Sequence, residues 1–285
     1  MKQSKFLTYQ LIDCGSGERL EGIGDYTIRR PAANAVWEKS NPELWKKIDL
    51  EYIREGETRG SRVELTKNSF KEQVISYEGL SFLIKTTGFG HLGIFAEQSR
   101  NWQKIRETVA SAKSSSCKIL NLFAYTGGSS LAALQGGAEV VHVDASKATV
   151  EWARKNAEVN GLEQASVRWI VDDVMAFVRR EIRRGNKYDG VILDPPSYGR
   201  GPKNQMWKIE THLGSLLGAF QEILAPDFKF ILLSAHTPGY SCLVLENLLR
   251  QNFKCENHQL TSEEMVIPTE SGFLLPSGTS AGLWR

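Results

Sequence analysis

Lys118-Ile-Leu-Asn-Leu-Phe-Ala-Tyr-Thr-Gly-Gly-Ser-Ser130, followed after a short helical stretch by Glu139-Val-Val-His-Val-Asp144, is the part of the chain that decides its fold. Residues 118–123 form an apolar run suited to a buried strand, residues 128–135 suit a helix, and residues 139–144 form a second apolar run ending in an acid. Glycine at the first turn lets backbone approach a ligand that a Cβ would block. A carboxylate at the second strand's end can accept two hydrogen bonds from a ribose diol. Asp144 stands seventeen residues after Gly127, so the unit is suited to a nucleoside-containing ligand. The plainer account of the same residues is a tight turn at Gly127 and Gly128, with Asp144 capping the helix that starts near Ser146. The dinucleotide fingerprint G-x-G-x-x-G is missing, which counts against an NAD oxidoreductase.

Downstream the alternation continues, with strand 167–170, helix 174–184, strand 188–193, a long loop, helix 208–224, strand 229–234 and helix 239–251. Residues 253–260 and 280–284 suggest a closing antiparallel pair, with Gly and Pro between them. Repeated βα units predict an α/β fold, a Rossmann-like doubly wound sheet with an antiparallel final strand and ligands at the strands' carboxyl ends. Upstream the pattern differs. Short Gly-broken stretches over 6–30 suggest a hairpin, and residues 72–85 suggest a clearer one around Glu78-Gly79. Residues 86–102 carry three glycines in a shaped loop, and a helix follows from about Gln98 to Ala112. The polar connector 113–116 leads into the opening strand. This reading gives a small β-rich accessory domain over 1–95 and a larger domain over 96–285.

The length of 285 residues fits one large domain plus a small one, and a hydrophobic fraction of 41% supplies an ample core. A net charge of +2 neither demands nor excludes nucleic acid. The four cysteines include no Cys-x-x-Cys pair, which argues against a zinc site or disulfide scaffold and fits a reducing cytoplasm. The N-terminus lacks the apolar core of a signal peptide, and no run approaches the ~18 apolar residues of a membrane span. The expectation is therefore a cytoplasmic chain with no membrane and no metal.

Two more acidic motifs follow predicted strands. Asp172-Asp173 can meet an adenine amino group, although Asp173 also stands where a helix N-cap belongs. In Asp194-Pro195-Pro196-Ser197-Tyr198 the prolines fix φ and remove two backbone donors, leaving stiff, outward carbonyl acceptors suited to a planar amine. His236, after the fifth strand, is a candidate base or orienting group, or simply a surface histidine. Arg200 and Lys203, in the loop after the prolines, can meet phosphate, and Trp207 can stack on a base. Solvated surface is the alternative for that loop. It is also the preferred reading of the basic run Arg179, Arg180, Arg183, Arg184 and Lys187.

Taken together, Leu-Asn-Leu-Phe-Ala-Tyr-Thr-Gly-Gly, Val-Asp-Ala-Ser, Val-Asp-Asp-Val and Asp-Pro-Pro-Ser resemble class I S-adenosylmethionine-dependent methyltransferases. More narrowly they resemble the bacterial 23S rRNA large-subunit methyltransferase family and its relatives, and the likeness covers most of residues 86–285. The resemblance implies S-adenosylmethionine as cofactor. Phe123, Tyr125, Thr126, Gly127 and Gly128 would hold its methionine part, Asp144 with Ala145 its ribose, and Asp173 its adenine. Phe95, Gln98 and Arg100 would form a pre-motif at its amino-acid end. Asp194, Pro195 and Pro196 would face the methyl group as the catalytic set, with Ser197, Tyr198, Arg200, Lys203 and His236 toward the substrate.

The sequence also departs from the family. Cytosine carbon-5 methylation there uses a cysteine after the fifth strand, where this chain has Ala235, and Cys242 comes seven residues later. Amino methylation places an aromatic directly after Pro-Pro, where this chain has Ser197 and then Tyr198. We find no counterpart of the separate N-terminal RNA-binding module of some relatives, which counts against RNA. The resulting expectation is an enzyme that methylates a nucleobase nitrogen in ribosomal RNA. Its rivals are a methyltransferase acting on a small molecule or protein, and a non-catalytic RNA-binding module that would not bind S-adenosylmethionine.

Overall fold

Strands that are apolar on both faces must be covered on both faces, and the larger sheet is built from such strands. The computed structural model describes residues 8–54, 61–65, 70–87, 90–112, 117–254 and 256–285. The connector 113–116, Gly88 and Phe89 of the shaped loop, the first residues of the expected 6–30 hairpin and Cys255 lie outside the described residues. The chain falls into two compact units, Met1–Ser99 with Val266–Ser277, and Arg100–Met265 with Gly278–Arg285.

In the first unit, β1 (Gln10–Gly15), β2 (Glu18–Ile23), β3 (Tyr26–Pro31), β4 (Leu50–Arg54) and β5 (Ser61–Leu65) form a five-stranded sheet in that order. The expected hairpin is therefore only the start of a larger sheet. Its β3–β4 pair is parallel, so β4 joins by a long connection that short-range turn signals do not reveal. Inside this sheet Glu21 is fully buried and accepts hydrogen bonds from Arg30 Nε and Nη2 and from the Tyr9 hydroxyl. Burial alone would raise the Glu21 carboxyl, but Arg19 and Arg30 outweigh it and hold it at about 2. A second hairpin pairs β6 (Gln73–Tyr77) with β7 (Leu80–Ile84) around Glu78 and Gly79, both at positive φ, as the turn pair predicts.

The second unit begins within α1 (Ser99–Ser111). It continues through β8 (Lys118–Leu122), α2 (Gly128–Gln135), β9 (Glu139–Asp144), α3 (Lys147–Val159), β10 (Val167–Val171), α4 (Val174–Arg184) and β11 (Gly190–Leu193). Next come β12 (Tyr198–Arg200), β13 (Met206–Lys208), α5 (Ile209–Phe220), β14 (Phe230–Ala235), α6 (Cys242–Asn252), and then β15 (Gln259–Pro268) and β16 (Leu274–Trp284), whose adjoining ends fall within the Val266–Ser277 stretch of the first unit. Seven strands form one sheet in the order β10-β9-β8-β11-β14-β16-β15. The first five run parallel, and β16 is antiparallel to β14. The apolar faces of α4, α5 and α6 cover one side of these strands through Phe177, Leu213, Leu217, Phe220 and Leu245.

The closing pair is longer than expected. The first of its strands begins at Gln259, not at 253, and runs through residues read as a Gly/Pro loop. Pro276 and Gly278 are tolerated because β16 pairs with β14 only from Thr279 to Trp284. From β8 the chain winds one way to β9 and β10, then returns to β11 and β14 on the other side. The topological switch, and hence the ligand crevice of such a sheet, lies at the carboxyl ends of β8 and β11. No helix among the described residues is long and apolar enough to cross a membrane.

Candidate active site

The turn after β8 is strained. Phe123 and Tyr125 have φ of 54° and 49°, a left-handed conformation unusual away from glycine. Such residues cost of order 1–3 kcal/mol each, so the surroundings must hold them. Ala124 N donates to Val143 O at 3.1 Å, Tyr125 N to Asp144 Oδ2 at 2.9 Å, and Asn156 Nδ2 to Thr126 O at 2.9 Å. Below them, Asn121 Nδ2 donates to Ser130 Oγ (2.9 Å), which leaves that hydroxyl to donate to His142 Nδ1 (3.0 Å). All three side chains are buried. Burial lowers the His142 pKa to about 3 against a backbone hydrogen bond with Tyr125, so the imidazole is neutral. This polar chain under the loop was not anticipated from sequence; an Asn and a His inside otherwise apolar strands were the available signal.

Packing within the protein also calls for glycine here, beside the positive φ of a tight turn at Gly127. A Cβ on Gly127, whose φ is 92°, would sit 3.2 Å from Ala153 Cβ, and one on Gly128 would sit 2.8 Å from Trp102 Cζ2. Neighbouring helices of the protein itself, α3 and α1, require both residues to be small.

Each parallel strand delivers a polar group to the same edge of the sheet. Asp144 ends β9, and Asp172 follows its partner position on β10. The two Asp144 oxygens accept from Tyr125 N and Ser146 N, both at 2.9 Å, while the half-buried Ala145 lies between those anchors. Burial raises the Asp144 pKa, opposed by the two N–H bonds. The helix cap after β9 is Ser146 itself, whose hydroxyl accepts from Thr149 N. Asp173 caps α4, with Oδ1 accepting from Ala176 N at 2.8 Å, and Asp172 pairs with Arg180. Asp194 follows β11, whose Leu193 is level with Leu122 on one side and Leu233 on the other. His236 follows β14, and its Nδ1 lies 3.3 Å from Asp194 Oδ1.

The segment after Asp194 is tied from several directions. Ser197 Oγ lies 2.7 Å from Thr237 Oγ1, and Ile209 N donates to Ser197 O at 3.1 Å. Pro196 O, expected to face outward as an acceptor, is engaged by Trp207 Nε1 at 2.8 Å. The segment read as a long loop contains the β12–β13 hairpin. Trp207 is only 5% exposed and packs on Phe123 with ring centroids 4.7 Å apart, so it is not a free platform for a base. Tyr198 is 49% exposed, Arg200 Nε donates to its hydroxyl at 3.2 Å, and Lys203 is exposed at the tip. That tip reaches α4, because a Cβ on Gly201 would lie 3.1 Å from Asp173 Oδ2.

Two of the pre-motif residues, Phe95 and Gln98, belong to the first unit, flanking and ending a one-turn helix, Ala96–Gln98. Arg100 is exposed and pairs with Glu263 at 3.3 Å. In the basic run Arg184 pairs with Glu181 and Lys187 reaches Glu222 O, leaving a solvated surface as its structural description. Cys242 opens α6, and burial raises its thiol pKa. No cluster of three or more potential metal-ligating side chains occurs among the described residues.

A family model described as S-adenosylmethionine-dependent methyltransferase matches residues 63–241. The chain belongs to the S-adenosylmethionine-dependent methyltransferase family. A SAM-dependent methyltransferase from Agrobacterium tumefaciens is 36% identical with a TM-score of 0.91, covering 97% of this chain and 90% of that one. SMU.776, solved in complex with SAH, shares the fold at 20% identity with a TM-score of 0.77, over 99% of this chain and 76% of that one. Ribosomal RNA large subunit methyltransferase I of Aeromonas salmonicida is 30% identical over 225 residues, 78% of this chain and 53% of that protein. The chain thus spans about half the length of the curated relatives it matches.

The cofactor of this methyltransferase is S-adenosylmethionine, and the donor set at the sheet edge fits it. Asp144 is an acceptor-only carboxylate with both oxygens fixed by backbone N–H groups and lone pairs remaining on each, as a ribose diol needs. Helix α2 has Gly127 at its N-cap and so no side-chain cap, which leaves its first N–H groups suited to a carboxylate.

Proposed function

We propose that this methyltransferase methylates a nucleobase nitrogen in ribosomal RNA, in the cytoplasm. The observation that carries the reading is the shared edge. The 123–128 loop, Asp144, Asp173 and Asp194 follow four parallel strands that flank one switch point. In this reading the 123–128 loop holds the methionine part of the cofactor, Asp144 and Ala145 the ribose, and Asp173 the adenine amino group through the oxygen its cap bond leaves over. S-adenosylmethionine supplies an electrophilic methyl group on a positively charged sulfur.

The chain's own task is then to orient the acceptor, because in-line transfer needs placement more than covalent help. Asp194 accepts a hydrogen bond from the acceptor's N–H and so aims the nitrogen lone pair. Pro195 and Pro196 keep that turn stiff, and His236 beside Asp194 gives a released proton a place to go. Ser197, Tyr198, Arg200 and Lys203 offer hydroxyl, aromatic and cationic groups to an incoming base and its phosphates. Nitrogen is favoured over carbon 5 because β14 ends at Ala235, where the carbon-5 reaction needs a cysteine, and the Cys242 thiol is held protonated by burial. Ribosomal RNA is favoured by the named Aeromonas relative.

The test is mass spectrometry of nucleosides from ribosomal RNA of cells with and without the gene. Loss of one methylated nucleoside, restored by the purified protein and S-adenosylmethionine, is expected. An identical nucleoside profile would rule out ribosomal RNA as the acceptor.

A further inference from the structure

Methyl transfer requires that two separately built loops keep a fixed spacing. The 123–126 loop and the 194–197 segment leave neighbouring strands at the same level, Leu122 beside Leu193. The second segment cannot anchor itself, because Pro195 and Pro196 have no N–H. It must be held through its carbonyls and through Ser197.

We propose that Trp207 is a positioning residue, an indole strut that sets the distance between the cofactor-side loop and the Asp194-Pro195-Pro196-Ser197 segment. This rests on the reading above that the two loops hold methyl donor and acceptor. One edge of the indole donates Nε1–H to Pro196 O at 2.8 Å, and its rings pack on Phe123 with centroids 4.7 Å apart and planes at 56°. Phe123, at φ 54°, is one of the turn's two strained residues, so the indole packs against a strained point of the turn. The strut is itself fixed. Gly199 pairs with Trp207 across the β12–β13 ladder. His212 stacks on the indole with centroids 5.6 Å apart and planes at 27°. Lys208 N in turn donates to His212 Nδ1 at 3.0 Å. A phenylalanine would keep an aromatic contact and lose the donor. A histidine would keep a donor on a ring too small to span both loops. Misplacement by about 1 Å costs on the order of 100-fold in rate, so the strut governs turnover rather than cofactor affinity.

Trp207→Phe tests this through three readouts: SAH affinity by calorimetry, kcat and KM on ribosomal RNA, and amide exchange at Ile209, whose N–H donates to Ser197 O. Expected are an SAH affinity within about threefold of wild type, kcat lower by about 10- to 100-fold at similar KM, and faster exchange at Ile209. Unchanged kcat and exchange would overturn the proposal. So would a kcat loss matched by equal losses in SAH affinity and melting temperature, which would mark Trp207 as ordinary core. If the wild type methylates no ribosomal RNA, the acceptor reading fails by itself, and exchange at Ile209 with retained SAH affinity decides the strut. If Trp207→Phe does not fold, benzothienylalanine at position 207, isosteric but without the N–H, decides by the same readouts.

Discussion

Asp144 is a single carboxylate with two tasks, and the tasks compete. It restrains the strained turn through Tyr125 N and starts the next segment through Ser146 N. In the proposed site it also meets the ribose. Removing it takes away a charged acceptor and loosens the turn together, and hydrogen bonds to charged groups contribute about 1.5–3 kcal/mol each. Asp144→Ala is therefore expected to weaken SAH binding by about 100-fold in calorimetry. Asp194 stands on the acceptor side of the proposed site, beside His236. Asp194→Ala is expected to leave SAH affinity within about threefold while abolishing turnover, and an active variant would remove it from the methyl-facing set.

At the scale of elements, the glycine turn is a packing joint between helices. Gly128, the first residue of α2, lies under the Trp102 ring of α1. Alanine there improves helix propensity by about 1 kcal/mol but pushes a Cβ into a buried ring, and overpacking costs about 1–3 kcal/mol. Gly128→Ala should lower stability in urea unfolding without changing the fold, and an equal or higher midpoint would contradict the packing account. This joint shows where sequence reading stops. The period of the β8–α2–β9 unit and the acids at the strand ends are local patterns, so they were legible. That Gly128 is small because of a tryptophan twenty-six residues upstream is a tertiary fact with no local trace. Trp207 is similar: its neighbours Met206 and Lys208 are both exposed, and the pairing of β12 with β13 turns it inward. The five-stranded sheet was missed because β4 joins β3 in parallel, beyond the reach of a turn signal.

At the scale of the whole molecule, acid stability depends on groups buried in fixed protonation states. His142 has a pKa of about 3 when folded against 6.5 for the free side chain. The unfolded chain therefore binds a proton that the folded chain refuses, and stability falls as pH drops below 6.5 toward 3. Glu21, held at about 2 against 4.5, adds its own loss only below 4.5. Between about pH 6 and pH 5 the histidine acts without Glu21 and should remove about 1 kcal/mol. Denaturation midpoints across that window should fall for the wild type and fall less for His142→Gln. Parallel slopes would mean that His142 is not the group responsible.

The order of the large sheet also bears on when its edge is protected. β16 is made last among its strands, yet it lies between β14 and β15. Until it arrives, β14 presents a fully buried sequence as an open edge, and β15 has no place in the sheet. A chain stopped before Thr279 is thus a template for intermolecular pairing, so the strand that closes the sheet, rather than the cofactor-binding half, decides whether that edge is protected.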